Sequence, residues 1–153
     1  MMFLDTPKKI LRQQMRHKRQ QFFNTIDKNF ATQQIQNYFF SLNILKPNSV
    51  IAGYWAYGAE VPLLPLLLAL SQQKYTVALP VVIEVGHPLD FRIWEPDCFL
   101  VSDIKGINSP SSQQLSVAPT ILLTPLLAFD EQGGRLGQGG GFYDITIRLL
   151  RQT

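Results

Sequence analysis

Apolar and polar positions alternate along this chain with two different periods. Near the N-terminus, Leu11, Met15 and Phe22 recur at spacings of four and seven, which predicts one apolar stripe of an α-helix. Thr6-Pro7 supplies its start, a threonine N-cap followed by proline at the first helical position. A second helix is predicted after Thr25, with Ile26, Phe30, Ile35, Tyr38, Phe39 and Leu42 turned to the core, and LKPNS ends it. SVIAGYW, rich in β-branched and aromatic residues, reads as a buried strand. VPLLPLLLALSQQ then reads as a helix from near Pro62, and TVALPVV as another strand. This β-α-β rhythm predicts an α/β fold with a parallel sheet and right-handed crossovers.

Farther on, GHPLD is a turn containing His87, and DFRIW is a short strand stopped by Glu95-Pro96. From Ser102 to Pro119 no periodicity is visible, and so long a stretch inside a compact domain is usually functional or mobile. TILLTPLLAF is almost continuously apolar, as expected of a central strand buried on both faces. A last helix is predicted from Tyr143 to about Arg151.

Between that strand and that helix lies the chain's densest anomaly. Of its 10 glycines, six (Gly133, Gly134, Gly137, Gly139, Gly140 and Gly141) fall within nine residues. Glycine loses more freedom on folding than any other residue, so such a cluster costs stability unless positive φ or close backbone approach requires it. A strand, a glycine loop and a helix N-terminus together form an anion site, because unpaired N–H groups and the helix dipole both favour negative charge. The loop reads as a phosphate cradle, against the alternative of a mobile surface loop.

Composition narrows the class. The 153 residues are 46% hydrophobic and 16% charged, which suits one domain with a substantial core. No apolar run approaches the roughly 20 residues of a membrane helix, and MMFL ahead of the first charges is no signal peptide. One cysteine, Cys98, excludes an internal disulfide and fits a cytoplasmic location. The net charge of +3 is unevenly spread: seven of 14 Lys and Arg residues lie in the first 28 positions. Lys8, Arg12, Arg16 and Arg19 share one helical stripe beside the apolar one. Such a stripe is a solvated face, a nucleic-acid or membrane contact, or a reach toward nucleotide phosphates. His17 is expected in solvent.

The common phosphate-loop patterns fit poorly. No GxxxxGK precedes Ser or Thr, and GxGxxG starting at Gly137 fails at Phe142. No Cys/His cluster suggests zinc, and the two histidines stand away from any candidate nucleophile. Positional and electrostatic catalysis with a cation fits better than a protein nucleophile.

AFDEQGGRLGQGGGFYD resembles the C-terminal signature of the 5-formyltetrahydrofolate cyclo-ligases, also called 5,10-methenyltetrahydrofolate synthetases. The likeness extends along the chain: KxxLR appears at Lys8 to Arg12, a strand followed by Glu-Val spans Gly53 to Val61, and VALPVV and Gly106-Ile107…Pro110 follow in order. The resemblance implies one domain over residues 1–153, a three-layer α/β/α fold with a mainly parallel central sheet behind N-terminal helices. It also implies ATP- and Mg2+-dependent conversion of 5-formyltetrahydrofolate to 5,10-methenyltetrahydrofolate by a monomer, with neither nucleic acid nor membrane as partner.

Residue by residue, Lys8 and Arg12 match ATP-binding positions, and Arg135, Leu136, Gly137, Gln138, Gly139, Gly140, Gly141, Phe142 and Tyr143 match the ATP loop. Arg135 and Lys8 are the implied catalytic cations, Arg135 as a phosphate clamp. Gln138, Gly139, Gly140, Gly141 and Phe142 also match folate contacts, together with Trp55 and Glu60, whose carboxylate can accept two parallel N–H bonds from a pterin. Asp144 matches a magnesium ligand, a hard oxygen donor beside phosphates, and this reading is favoured over that of an acid stabilised at a helix N-terminus, a role that can coexist with it. Asp130, Tyr54 and Tyr143 are equally explained by capping or packing.

The chain also departs from the pattern. Family members continue past the last helix into further strands and a second acidic ligand, so those C-terminal strands are expected to be missing. Ile145 replaces the usual arginine after the Tyr-Asp pair, and Ser109 replaces a glutamate before Pro110. Two alternatives follow: a weakly active or inactive remnant that still binds nucleotide or folate, or a basic nucleic-acid-binding module built on the first helix. The latter lacks an RNA-stacking motif or a DNA-reading helix.

Overall fold

The computed structural model describes residues 6–152. Two N-terminal helices, α1 (Pro7–Thr25) and α2 (Lys28–Ser41), precede strand β1 (Val50–Ala52), helix α3 (Leu64–Gln72) and strand β2 (Thr76–Val81). Strands β3 (Asp90–Ile93), β4 (Leu100–Ser102), β5 (Asn108–Pro110), β6 (Ile121–Leu122), β7 (Ala128–Phe129) and β8 (Arg135–Leu136) follow, and α4 (Phe142–Leu150) ends the fold. The central sheet runs β3-β2-β1-β6, with β1 parallel to both β2 and β6 and β3 antiparallel at one edge.

Strand period two divides the core between the faces of this sheet. Ile51, Val77 and Leu79 join Phe39 of α2 and Leu66, Leu67 and Leu70 of α3 on one side. Their neighbours Ala52 and Ala78 face the other side, with Val82, Leu89 and Phe91, where Phe142 and Tyr143 of α4 pack. Helices on both faces of a mainly parallel sheet make the three layers.

Several local expectations need correction. α1 starts at Pro7, but the Thr6 side chain makes no capping bond. Its apolar stripe is not turned inward: Phe22 is 63% exposed and Leu11 is exposed too. The half-buried side is Arg12, Met15, Arg19 and Phe23, which shares only Met15 with the apolar stripe, and α1 has no buried residue. A helix whose inner face carries two arginines docks by polar contacts as much as by hydrophobic burial. In α2, Asp27 caps the Asn29 and Phe30 N–H groups. Thr32 and Phe39 are buried there, while Phe30, Tyr38 and Leu42 are exposed.

TILLTPLLAF is not one central strand. Ile121–Leu122 form an edge of the sheet, and Ala128–Phe129 pair instead with Arg135–Leu136 in a separate hairpin. Pro125, which cannot donate to a ladder, stands between the two pieces. The aperiodic segment after Ser102 is ordered by a β4–β5 hairpin. Asp103 organises its turn by accepting the N–H groups of Lys105 and Ile107 (2.8 and 3.1 Å) and that of Val82 (3.3 Å).

Candidate functional site

The glycine-rich segment has two structural jobs. Gly133 and Gly134 belong to the β7–β8 turn, where Asp130 accepts the Gln132 and Gly134 N–H groups at 3.0 and 2.6 Å. Asp130 is therefore a turn acid. Only Gly137 and Gly139 to Gly141 make the loop that enters α4, and β8 holds its start in place. Gly139 takes φ +108° and Gly141, the N-cap of α4, takes φ +73°. Both values lie where side chains are strained, so glycine lets the loop turn sharply into the helix. The first turn of α4, with its unpaired N–H groups and positive dipole end, follows at once.

α1 lies along this loop and grips its carbonyls. Arg12 Nε donates to Gly137 O at 3.0 Å, while Arg16 donates from Nε to Gln138 Oε1 and from a terminal nitrogen to Gln138 O, each at 2.9 Å. On the other side, Arg135 donates to Asp144 Oδ1 at 2.6 Å, and its guanidinium carbon stands 5.9 Å from the Tyr143 ring centroid. The Arg135 side chain is 17% exposed and that of Asp144 71%.

Loop, helix and sheet enclose a cleft of about 430 Å3, a volume usual for a small-molecule site. Its floor comes from the ends of parallel strands: Tyr54, Trp55 and Glu60 after β1, Pro80 and Val82 at the end of β2, and Pro125 after β6. β1 leads through α3 to β2 on one side, with β6 on the other, so the cleft opens at the point where open α/β sheets bind ligands. The Asp103–Ile107 turn makes a further wall, and Lys105 Nζ lies 5.8 Å from the Phe142 ring centroid.

Most residues singled out in the sequence meet in this one cleft. Arg12, Trp55, Glu60, Arg135, Gly137, Gln138, Gly139, Gly140, Gly141, Phe142, Tyr143 and Asp144 all line it. Lys8 and Leu136 do not: Lys8 is exposed one turn before Arg12, and Leu136 is a half-buried residue of β8. Asp103 and Lys105 also line the cleft and were not singled out; Arg16 and Arg19, named only as part of the basic stripe, stand outside the cleft lining. The basic stripe at helical spacing was the available signal for the arginines, and the long aperiodic stretch for the other two.

Glu60 is half-buried, and its Oε2 accepts the Tyr57 N–H at 2.9 Å. Burial pushes its carboxyl above the usual range, while the Tyr57 N–H and the charge of Arg19 pull it back. Tyr54, whose hydroxyl donates to Val61 O at 3.0 Å, is pushed up to about 12 by burial and then by Glu60, with Arg19 opposing. Tyr143 is raised further, first by burial, then by Glu60 and Tyr54. A carboxylate facing two neutral phenols marks one end of the cleft; cations around a glycine loop mark the other.

Among the described residues, no group of three or more His, Cys, Asp or Glu converges to hold a metal. Asp144 could still supply the single carboxylate that a magnesium ion commonly takes when phosphates and water complete its shell. No helix of the described residues is long and apolar enough to cross a membrane.

This architecture defines a class: an open α/β sheet with an anion-binding glycine loop facing a polar and aromatic pocket. The sequence profile of the 5-formyltetrahydrofolate cyclo-ligase family matches residues 5–153, and the chain belongs to that family. It is 36% identical over 115 residues to the 5-formyltetrahydrofolate cyclo-ligase of Haemophilus influenzae, covering 71% of this chain and 62% of that protein. It is 36% identical over 104 residues to the enzyme of the same name from Escherichia coli K12, covering 64% and 57%. The chain thus spans about three-fifths of the length of these curated relatives. The solution structure of Aquifex aeolicus 5,10-methenyltetrahydrofolate synthetase superposes with TM-score 0.74 at 28% identity, over 97% of this chain and 74% of that one. A Mycoplasma pneumoniae 5,10-methenyltetrahydrofolate synthetase shares the fold, with TM-score 0.64 at 24% identity over 97% and 79%.

Proposed function

We propose that this chain closes 5-formyltetrahydrofolate to 5,10-methenyltetrahydrofolate at the expense of ATP. The observation that carries the reading is a single cleft with the cation-flanked glycine loop at one end and Glu60 and Trp55 at the other. The names borne by the relatives support it.

A formamide carbonyl is a poor electrophile, and its oxygen is a poor leaving group. Transfer of the ATP γ-phosphoryl group to the formyl oxygen removes both obstacles, leaving ADP and an N5=CH–O–phosphate. N10 then attacks the formyl carbon, phosphate departs with the former formyl oxygen, and the N10 proton is lost, giving the N5=CH–N10 bridge. Both nucleophiles belong to the substrate, so the protein's part is orientation, worth roughly 7–11 kcal/mol in well-aligned cases, and neutralisation of charge.

In this reading Glu60 accepts the pterin's ring N–H and amino hydrogens, and Trp55 offers an aromatic wall. Gln138 to Phe142 stand where the two ligands meet. Arg12 and Arg135, with the loop and α4 N–H groups, hold the phosphates. Lys8, outside the cleft, lies one turn along α1 with a long stem that can approach them. Asp144 would hold magnesium, which supplies neutralisation of the triphosphate. The Arg135–Asp144 pair keeps this carboxylate in place beforehand, and its exposure makes the exchange cheap.

The test is direct. Purified protein is mixed with 5-formyltetrahydrofolate, ATP and magnesium, and methenyl-folate absorbance is followed. Product that requires all three components is expected. If nucleotide and folate bind but no product forms, the chain is a binding remnant of its family. If neither binds and RNA or DNA binds with steep salt dependence, the basic face of α1 is the functional surface.

A further inference from the structure

Among the described residues three cations line the cleft, Arg12, Lys105 and Arg135, and two of them are engaged. Arg12 donates from Nε to Gly137 O, and Arg135 pairs with Asp144. The Lys105 side chain has neither an ion pair nor a hydrogen bond among the described residues. Its Nζ stands over the Phe142 ring, 5.8 Å from the centroid. That ring lies against the glycine loop, since a Cβ added at Gly140 would meet its Cε2 at 2.9 Å. Lys105 thus brings its charge to the α4 end of the loop, whereas Arg12 lies against Gly137 and Gly139.

The segment that delivers Lys105 is firmly tied. Asp103 Oδ1 accepts the N–H groups of Lys105 and Ile107, and Oδ2 accepts that of Val82 at the end of β2. The Asp103 N–H donates to Ile107 O and the Gly106 N–H to Asp103 O, each at 2.9 Å. These bonds use the backbone and the Asp103 carboxylate, so the Lys105 side chain takes no part in holding the turn. The nearest acid in sequence is therefore occupied by three N–H donors and not by the lysine. Of the other carboxylates in the cleft, Asp144 is held by Arg135, and Glu60 accepts the Tyr57 N–H at the far end. An exposed cation over a ring is weakly held, so the ammonium can leave Phe142 for an anion at little cost. A fixed turn that places an uncompensated charge beside an anion-binding loop finds its complement in a ligand.

We propose that Lys105 is a further catalytic residue of this site: its ammonium contacts the γ-phosphoryl group of ATP as that group passes to the acceptor oxygen. The proposal rests on the function proposed above. In that step the bond from the γ-phosphorus to the β,γ-bridging oxygen breaks and a bond to the formyl oxygen forms. Lys105 keeps its proton throughout and supplies charge alone. A lysine suits this task, because a compact ammonium on a flexible stem can follow a moving group, while a guanidinium is a rigid planar fork. Arg12 and Arg135 hold the nucleotide, and Lys105 responds to the transfer, so its loss costs turnover more than nucleotide affinity.

The test has two arms. In the first, the Lys105 side chain is followed by carbon NMR in protein labelled at lysine Cε, with Lys105→Arg to assign the resonance. The β,γ-imido analogue of ATP with magnesium is expected to shift this resonance, and AMP, which lacks the terminal phosphates, to leave it in place. Analogue binding, read by calorimetry, without that shift overturns the proposal, as does an equal shift with AMP. In the second arm, methenyl-folate formation is followed in Lys105→Met, which keeps an apolar stem over Phe142, and in Lys105→Arg, which keeps the charge. We expect kcat to fall roughly 100-fold in Lys105→Met, with analogue affinity little changed and most of the loss recovered in Lys105→Arg. Equal loss in the two variants, or an effect confined to KM for ATP, overturns the catalytic role. A Lys105 shift on analogue binding with no methenyl product from wild type upholds the phosphoryl contact and overturns the folate reading instead. Wild type that binds no analogue overturns both.

Discussion

Replacing Asp144 by asparagine separates the two roles open to this carboxylate, and the structure sets the scale of each. In the resting protein Asp144 accepts from Arg135 at 2.6 Å, but its side chain is 71% exposed. An ion pair so open to solvent is worth roughly 0.2–1 kcal/mol. Asp144 also sits in the first turn of α4, where the dipole adds about 0.3–1 kcal/mol. The loss on Asp144→Asn is therefore about 1 kcal/mol, which for a domain of this size lowers Tm by roughly 2–4 °C. A carboxylate holding magnesium against a triphosphate has larger consequences, because metal-assisted charge neutralisation supplies several kcal/mol. Turnover should then fall by more than about 100-fold, with a steeper magnesium requirement. Thermal unfolding and methenyl-folate absorbance, measured on the same preparation, read the two effects separately. A variant that keeps wild-type turnover and magnesium dependence while losing only those few degrees would refute the ligand role and leave Asp144 a helix acid.

Other perturbations test the rest of the site. Glu60 is raised by burial; a raised carboxyl contributes stability that is complete below its unfolded value and lost as pH rises through its folded value. Glu60→Gln, which keeps an acceptor for the Tyr57 N–H, should therefore raise Tm at neutral pH while abolishing measurable 5-formyltetrahydrofolate binding; a lower Tm with unchanged affinity would show that the buried charge does neither job. Tyr54 is raised to about 12, and Tyr143 is raised too. Both lose protons earlier when unfolded, so stability should decline from the ordinary phenol range near ~10 upward; denaturant midpoints that stay flat there in wild type, or fall equally in the double phenylalanine variant, would contradict this. Gly139→Ala places a side chain at φ +108° with its Cβ 3.6 Å from the Arg12 guanidinium carbon. We expect about 1–3 kcal/mol of strain and weakened ATP affinity, measured by chemical denaturation and calorimetry; unchanged values for both would mean that the loop conformation is not required.

How much of this could be read from the residues depended on where the information lay. The β1-α3-β2 unit was legible because local patterns dictate it: a β-branched run, a leucine-rich helix and a second apolar strand, each bounded by turn residues. The glycine-loop end of the cleft was legible for a similar reason, since a glycine cluster costs so much conformational entropy that it must mark a backbone constraint. TILLTPLLAF misled because apolarity does not count hydrogen bonds. Pro125 divides it, and the second half pairs with Arg135–Leu136 rather than with the sheet. α1 misled in the opposite sense. Its most apolar stripe holds Leu11 and Phe22 in exposed positions, while arginines face the body. Pattern assigns apolar residues to the interior; here the loop carbonyls of Gly137 and Gln138 draw cations inward. Those partners lie more than a hundred residues away, beyond the reach of any local rule. Glu60 was found by resemblance alone, because only the assembled cleft removes it from water and surrounds it with phenols and Arg19.

The central claim is that this cleft brings the γ-phosphate of ATP onto the formyl oxygen of the folate. The most direct measurement uses 5-formyltetrahydrofolate carrying 18O in the formyl group and follows the label during turnover with unlabelled ATP in unlabelled water. Each phosphate released should carry one 18O atom, in step with each methenyl group formed. Unlabelled phosphate alongside methenyl product, with the 18O found in water, would contradict the account.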